Sequence, residues 1–158
     1  VYIIEAKGLS ALAYGNTEDA LNYFKEALKK DPKDAYNYFR LAKCYEKLGN
    51  DNMIRDSYEK ILKFNPKFAP AYFEFAQYLI SQKDYQDARR KLRKAANLEP
   101  NNRRILNLLF YVSYILVKED VCEYNVKEAI SLADKINGFE YPDLRADLEK
   151  ILKEIKEN

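Results

Sequence analysis

Residues 35–68 read AYNYFRLAKCYEKLGNDNMIRDSYEKILKFNPKF. Tyr38, Leu41, Ala42 and Tyr45, then Ile54, Tyr58 and Ile61, fall three and four apart, which is the spacing of one helix face and not the alternation of a strand. Gly49 separates the two runs. Pro66 closes the second, because a residue with fixed φ and no N–H stops a helix. The stretch therefore predicts helix, turn, helix, turn.

The same punctuation returns at a fixed distance. Pro32, Pro66 and Pro100 are 34 residues apart, as are Gly15 and Gly49, and Tyr38 and Tyr72. Each proline lies in a short polar segment: Lys-Asp-Pro-Lys-Asp, Phe-Asn-Pro-Lys-Phe and Leu-Glu-Pro-Asn-Asn. Between these marks the apolar positions keep helical periodicity, as in Ala20, Leu21, Phe24, Ala27 and Leu28. No segment reads as a strand.

A repeat of this length and punctuation resembles the tetratricopeptide repeat family. That family's pattern places an aromatic, then leucine-glycine and tyrosine in the first helix, with alanine, phenylalanine, alanine and a terminal proline in the second. Residues 35–68 supply Tyr38, Leu41, Ala42, Tyr45, Gly49, Ile54, Tyr58, Ile61 and Pro66. Residues 69–102 supply Tyr72, Phe75, Ala76, Leu79, Ala88, Leu92, Ala95 and Pro100. Residues 1–34 match through Ile4, Gly8, Ala11, Ala20, Phe24, Ala27 and Pro32, and depart from the pattern at Lys7. The resemblance implies an all-α solenoid of helical hairpins wound as a right-handed superhelix. Small residues at Gly8, Ala42, Ala76, Ala20 and Ala88 would let paired backbones approach, and neighbouring repeats would share one core, since a lone hairpin buries too little to offset its ordering entropy.

After residue 102 the pattern loosens. Residues 103–117, RRILNLLFYVSYILV, place Leu106, Leu109 and Phe110 as expected, but the following helix is expected near 125–137, about seven residues late, after an insertion around Lys118 to Tyr124. Ala129, Ala133 and Ile136 recover the spacing, and Pro142 follows. The expected organisation is a single domain of three regular repeats, 1–34, 35–68 and 69–102, an irregular fourth at 103–142, and a capping helix at 143–158. That last helix carries Leu144, Leu148, Ile151 and Ile155 on one stripe. The stripe also fits a dimer seam, though two heptads are short for a coiled coil.

Composition bounds the function. The 158 residues are 47% hydrophobic and 33% charged, with a formal net charge of +2, so no global field draws nucleic acid or an anionic membrane. No run approaches the roughly 18 apolar residues a membrane span needs, and the opening VYIIEAKGLSALAYGN, with Glu5 and Lys7, lacks the layout of a signal peptide. The chain opens at Val1 inside a helical pattern and is expected to be a piece of a longer protein. Histidine is absent and the two cysteines, Cys44 and Cys122, have no metal-ligand spacing, so neither a metal nor a cofactor is expected. No glycine-rich phosphate loop or nucleophile elbow is present, Cys44 reads as a small core filler, and no enzyme activity is expected.

The family resemblance implies that the first helices line a concave groove where a protein or peptide partner binds. By repeat position the groove-facing residues are Tyr2, Glu5, Leu9 and Leu12; Tyr36, Phe39, Arg40 and Lys43; Phe73, Glu74 and Gln77; and Asn107, Leu108, Tyr111 and Tyr114. The set is aromatic, and such rings anchor partner segments at small entropy cost. The competing reading is that several of them pack between adjacent helices. A family subtype grips the C-terminal carboxylates of heat-shock chaperones with lysine, arginine and asparagine; here those positions hold Glu5, Leu9, Arg40, Pro70 and Glu74, so a carboxylate clamp is not expected. The basic run Arg89, Arg90, Lys91, Arg93 and Lys94, followed by Arg103 and Arg104, reads as a solvated second-helix face before it reads as a nucleic-acid or other anionic-surface site. A structural self-association module is the remaining alternative.

Overall fold

The computed structural model describes residues 1–136 and 141–157. The expected end of the eighth helix at residue 137, the remainder of the irregular repeat up to residue 140, and Asn158 at the end of the expected capping helix lie outside the described residues. Among those described, every regular element is a helix: α1 (Tyr2–Ala13), α2 (Thr17–Lys30), α3 (Ala35–Leu48), α4 (Asp51–Phe64), α5 (Ala69–Ser81), α6 (Tyr85–Leu98), α7 (Arg103–Glu119), α8 (Glu123–Lys135) and α9 (Pro142–Glu157). The chain divides into two compact units, Val1–Ala71 and Tyr72–Asn158, with the division in the first turn of α5.

The 34-residue step is visible in the helix starts, since α2, α4 and α6 open at residues 17, 51 and 85 and α3, α5 and α7 at residues 35, 69 and 103. Local chemistry enforces four of those starts. Asp34, Asn50, Asp84 and Asn102 each accept hydrogen bonds from backbone N–H groups in the first turn of the next helix. The tighter turns within each hairpin also repeat. Gly15, Gly49 and Lys83 have φ of 81°, 66° and 61°, and each is followed by the same pair of backbone bonds back to the last turn. Lys83 thus holds a left-handed conformation that the two glycines adopt without steric cost.

In Val1–Ala71, α1 packs on α2, α2 on α3 and α3 on α4. The core is Ala20, Phe24, Ala27, Leu41, Ala42, Tyr45, Ile54, Tyr58 and Ile61, all buried. Gly8 makes the α1–α2 approach possible, because a Cβ there would stand 2.6 Å from the Phe24 ring. Cys44 is fully buried in this unit, and both cysteines are free thiols.

In Tyr72–Asn158, α6 packs on α7, α7 on α8 and α8 on α9. Phe75, Leu79, Leu92, Leu109, Leu116, Val126, Ala129, Ala133 and Leu148 form its buried interior. The inserted residues do not make a loop from Lys118 to Tyr124. Lys118 and Glu119 extend α7, Glu123 and Tyr124 open α8, and only Asp120–Cys122 lie between them. One 34-residue step beyond Tyr85 falls at 119, so α8 starts four residues late rather than about seven; α7 absorbs most of the insertion as helix because its apolar run continues to Val117. No helix among the described residues is long and apolar enough to cross a membrane.

Candidate functional site

Asn102 starts α7 by accepting from the N–H groups of Arg104 and Ile105 at 3.1 and 3.4 Å. From there α7 has two stripes. Ile105, Leu106, Leu109, Phe110, Val112 and Leu116 are buried, while Arg104, Asn107, Leu108, Tyr111 and Tyr114 stand together on the other side. These five, with Phe73 and Gln77 from α5, line a pocket of about 640 Å³ that is completed by Phe110 and by Tyr141 and Leu144 at the start of α9. Among the described residues Arg104 is the one charged member of that lining, and its guanidinium lies over the Phe73 ring, 5.3 Å from the centroid. The Tyr111 side of the wall is open to solvent, with the residue 52% exposed.

The start of α9 is held there by Asp147, which accepts a hydrogen bond from Lys118 Nζ at 2.8 Å and one from the Tyr114 hydroxyl at 3.2 Å. Donation from Lys118, and secondarily from Tyr114, holds the Asp147 carboxyl below the usual carboxylate range; the same contact raises Lys118. Tyr114 is thus both a wall of the pocket and part of the fastening of α9.

The predicted residues of Val1–Ala71 are arranged differently. Glu5, with a side chain only 14% exposed, accepts from the buried Asn37 Nδ2 at 2.8 Å and lies 3.7 Å from Arg40. Arg40 also donates to Asn37 Oδ1 at 2.9 Å and covers the Phe24 ring at 5.6 Å. Tyr36 and Phe39 pack edge-on against Phe68, at 5.3 and 6.1 Å between centroids, and Phe39 meets Tyr58 at 6.3 Å. Lys43 pairs with Glu46 at 3.0 Å and sits over Phe39. Leu12 is half-buried, whereas Tyr2 and Leu9 are exposed. Glu74, on α5, is half-buried and is not among the residues lining the α5–α7–α9 pocket.

Comparison with known proteins settles what these hairpins are. Two descriptions of the tetratricopeptide repeat match the chain, over residues 11–52 and 57–90. The chain belongs to the tetratricopeptide repeat family. It is 32% identical over 90 residues to the Hsp70-Hsp90 organizing protein 2 of Arabidopsis thaliana, an alignment that takes in 56% of this chain and 16% of that protein. A structure of MamA from Desulfovibrio magneticus RS-1 superposes with a TM-score of 0.71 at 18% identity, over 99% of this chain and 93% of that one. The first tetratricopeptide domain of Spaghetti (RPAP3), bound to the HSP90 peptide SRMEEVD, superposes with a TM-score of 0.66 at 19% identity, over 73% and 92%. The structural likenesses show the helical-hairpin solenoid fold.

In tetratricopeptide terms α5 and α7 are first helices, and the pocket lies on their side of Tyr72–Asn158. The basic run from Arg89 to Lys94 belongs to a second helix, α6; Arg90 and Lys94 are exposed, as a solvated face requires, but Arg89 and Arg93 turn onto α8. Arg89, with a side chain 11% exposed, donates to Asn125 at 2.8 Å and lies 3.4 Å from Glu128, while Arg93 donates to the same Glu128 at 2.6 Å and to the Tyr124 hydroxyl at 3.0 Å. Arg90 pairs with Asp87 at 2.9 Å and Lys91 covers Phe75. The physical reason is the late start of α8, whose first turns bring a carboxylate and an amide against α6. Two of the arginines are thereby engaged within the fold, sharing the Glu128 carboxylate, which argues against an anionic-surface role.

Repeat position, carried over from the family resemblance, assigns Phe73, Gln77, Asn107, Leu108, Tyr111 and Tyr114 to one surface but does not name Arg104, Tyr141 and Leu144 as pocket walls. Arg104 was grouped with the basic run, although it falls one turn before Asn107 and Leu108 on the same stripe. Leu144 was assigned to the packing stripe of the last helix, and nothing in its spacing says that α9 also borders α7.

Proposed function

We propose that this chain is a protein-interaction module that seats a segment of a partner polypeptide on its first-helix surfaces, principally in the aromatic pocket of Tyr72–Asn158. One observation carries the reading: Phe73, Gln77, Asn107, Tyr111 and Tyr114, contributed by two consecutive first helices, line a single open pocket whose wall is mostly ring and aliphatic surface. Two of the proteins it resembles, the Hsp70-Hsp90 organizing protein 2 and the Spaghetti (RPAP3) domain bound to an HSP90 peptide, support the same class of role. The role is binding and not catalysis. The chain has no histidine, and burial pushes the Cys44 thiol up, away from its reactive thiolate form. In this reading α9 is the capping helix, with Leu148 buried and Lys150, Lys153 and Glu157 in water.

The partner segment is not a free C terminus. Glu5 and Glu74 stand where the clamp subtype has cations, and Glu5 is already committed to Asn37 and Arg40. The test is affinity capture with the chain beside a Phe73→Ala, Tyr111→Ala version of it. Partners should be lost from the variant and should survive amidation of their C terminus. Equal retention by both proteins would remove the pocket from the reading, and loss on amidation would restore the clamp.

A second reading rests on α1, where Tyr2 and Ile3 are 87% and 75% exposed and Leu9 is exposed further along the same helix. An apolar surface of that kind fits self-association. Sedimentation of the chain and of Ile3→Glu would separate the two readings, because only self-association predicts a concentration-dependent mass that Ile3→Glu abolishes.

A further inference from the structure

The pocket of Tyr72–Asn158 carries more information than its shape. Among the described residues its lining pairs an extended aromatic wall with a single formal charge, that of Arg104, and no described carboxylate pairs with the Arg104 guanidinium, which rests on Phe73. Asp147, a carboxylate on α9, is occupied by Lys118 and Tyr114. Gln77 and Asn107 add amide donors and acceptors to the same lining, and the exposed Tyr111 adds a ring that water covers in the free chain. An apolar side chain would take the ring surface, an acidic one the cation, and backbone peptide groups the amides.

Resting on the reading that this pocket is a partner site, we propose that its occupant is an internal polypeptide segment in which an aromatic or aliphatic side chain is directly flanked by an aspartate or glutamate. The charge argument decides against two other occupants. A basic segment would place its cation against Arg104, and a purely apolar one would leave Arg104 desolvated without a counter-charge. The amides favour a polypeptide over a lipid chain, which offers them no backbone partners. Because recognition uses the flanking carboxylate and not a terminal one, the site works in the middle of a chain.

The experiment uses fluorescein-labelled, C-terminally amidated peptides carrying Asp-Leu-Phe-Asp, Asn-Leu-Phe-Asn or Lys-Leu-Phe-Lys between Gly-Ser flanks, titrated with the whole chain at low and moderate salt. The acidic peptide should bind about tenfold more tightly than the amide peptide, as expected for one partly solvated charge pair, and the basic peptide should bind weakest. Arg104→Glu should abolish or invert that order, Arg104→Lys should keep most of it, and Tyr111→Ser should weaken all three peptides alike. Arg104 and Tyr111 are both exposed, so these variants keep the fold, which circular dichroism checks. Equal binding of the acidic and amide peptides, or an acidic preference that survives Arg104→Glu, overturns the inference. If no peptide binds while captured partners are still lost from the Phe73→Ala, Tyr111→Ala chain, the acidic–apolar chemistry is wrong and the partner site stands. If captured partners are retained by that variant, both fall.

Discussion

Glu5 and Phe39 on one side, Phe73 and Asn107 on the other, hold the same repeat position, yet the two units use it in contrasting ways. In Val1–Ala71 the side chains at and beside this position end on one another: Glu5 on Asn37 and Arg40, Phe39 on Phe68 and Tyr58, Lys43 on Glu46. In Tyr72–Asn158 the corresponding residues border open space, and the cation among them, Arg104, meets a ring and not a carboxylate. Periodicity therefore decides which surface a residue reaches, and the complementarity of its neighbours decides whether that surface is already taken. A charge facing its opposite closes the surface; an aromatic facing an amide leaves it available.

The comparison breaks most visibly through stability. Phe39→Ala should lower unfolding free energy by about 2 kcal/mol, less than a fully buried ring because Phe39 is half-buried, whereas Tyr111→Ala should stay within about 0.5 kcal/mol. Urea denaturation of both variants measures this. If Tyr111→Ala proves the more destabilising, the pocket ring is structural and the contrast between the units is gone.

Charge gives the next largest effect. Glu5→Lys removes the acceptor of Asn37 and sets a second cation beside Arg40, so it should cost about 1–2 kcal/mol. The same denaturation experiment reads it, and a neutral outcome would mean that the Glu5 network is a surface contact of little weight.

Turn chemistry also differs between the units, because Gly15 and Gly49 serve Val1–Ala71 while Lys83 takes the same φ in Tyr72–Asn158. Relieving that strain with Lys83→Gly should raise stability by up to about 1 kcal/mol, the gain being reduced by the greater freedom of glycine in the unfolded chain. Thermal melts of Lys83→Gly beside Gly49→Ala should move in opposite directions.

The smallest effect is a titration. Hydrogen bonds from Lys118 and Tyr114 depress the Asp147 carboxyl, so its contribution to holding α9 is present above about pH 4, the ordinary carboxylate value, and is lost as pH falls through the lower folded-state pKa. Lys118, raised by the same contact, keeps its part until pH rises past the ordinary lysine range. A carboxyl NMR titration of Asp147 with a midpoint at or above the ordinary aspartate value would show that the fastening does not form in solution.

Helix starts were legible because they depend on residues that act alone. A proline stops a helix and an Asx side chain starts one whatever surrounds them: a proline precedes each of the starts at residues 35, 69 and 103, and Asp34 and Asn102 cap the first and last of these. The first-helix surface of α7 was legible for a related reason, since one stripe of RRILNLLFYVSYILV is continuous and apolar. What was not legible depends on pairs distant in sequence. Arg89 and Glu128 are 39 residues apart, and nothing in either segment announces the other. Lys83 is invisible in the same way, because its strained φ is imposed by a turn that the two preceding repeats build with glycine.

The one-turn lengthening of α7 bears on how this chain tolerates change. Four residues advance a helix by slightly more than one full rotation, so the delayed α8 still presents Asn125 and Glu128 toward Arg89. A gain or loss of a single residue within the last turn of α7, up to Glu119, would swing that presentation by about 100° per residue and part the pair. Length polymorphism at this junction should therefore come in whole turns.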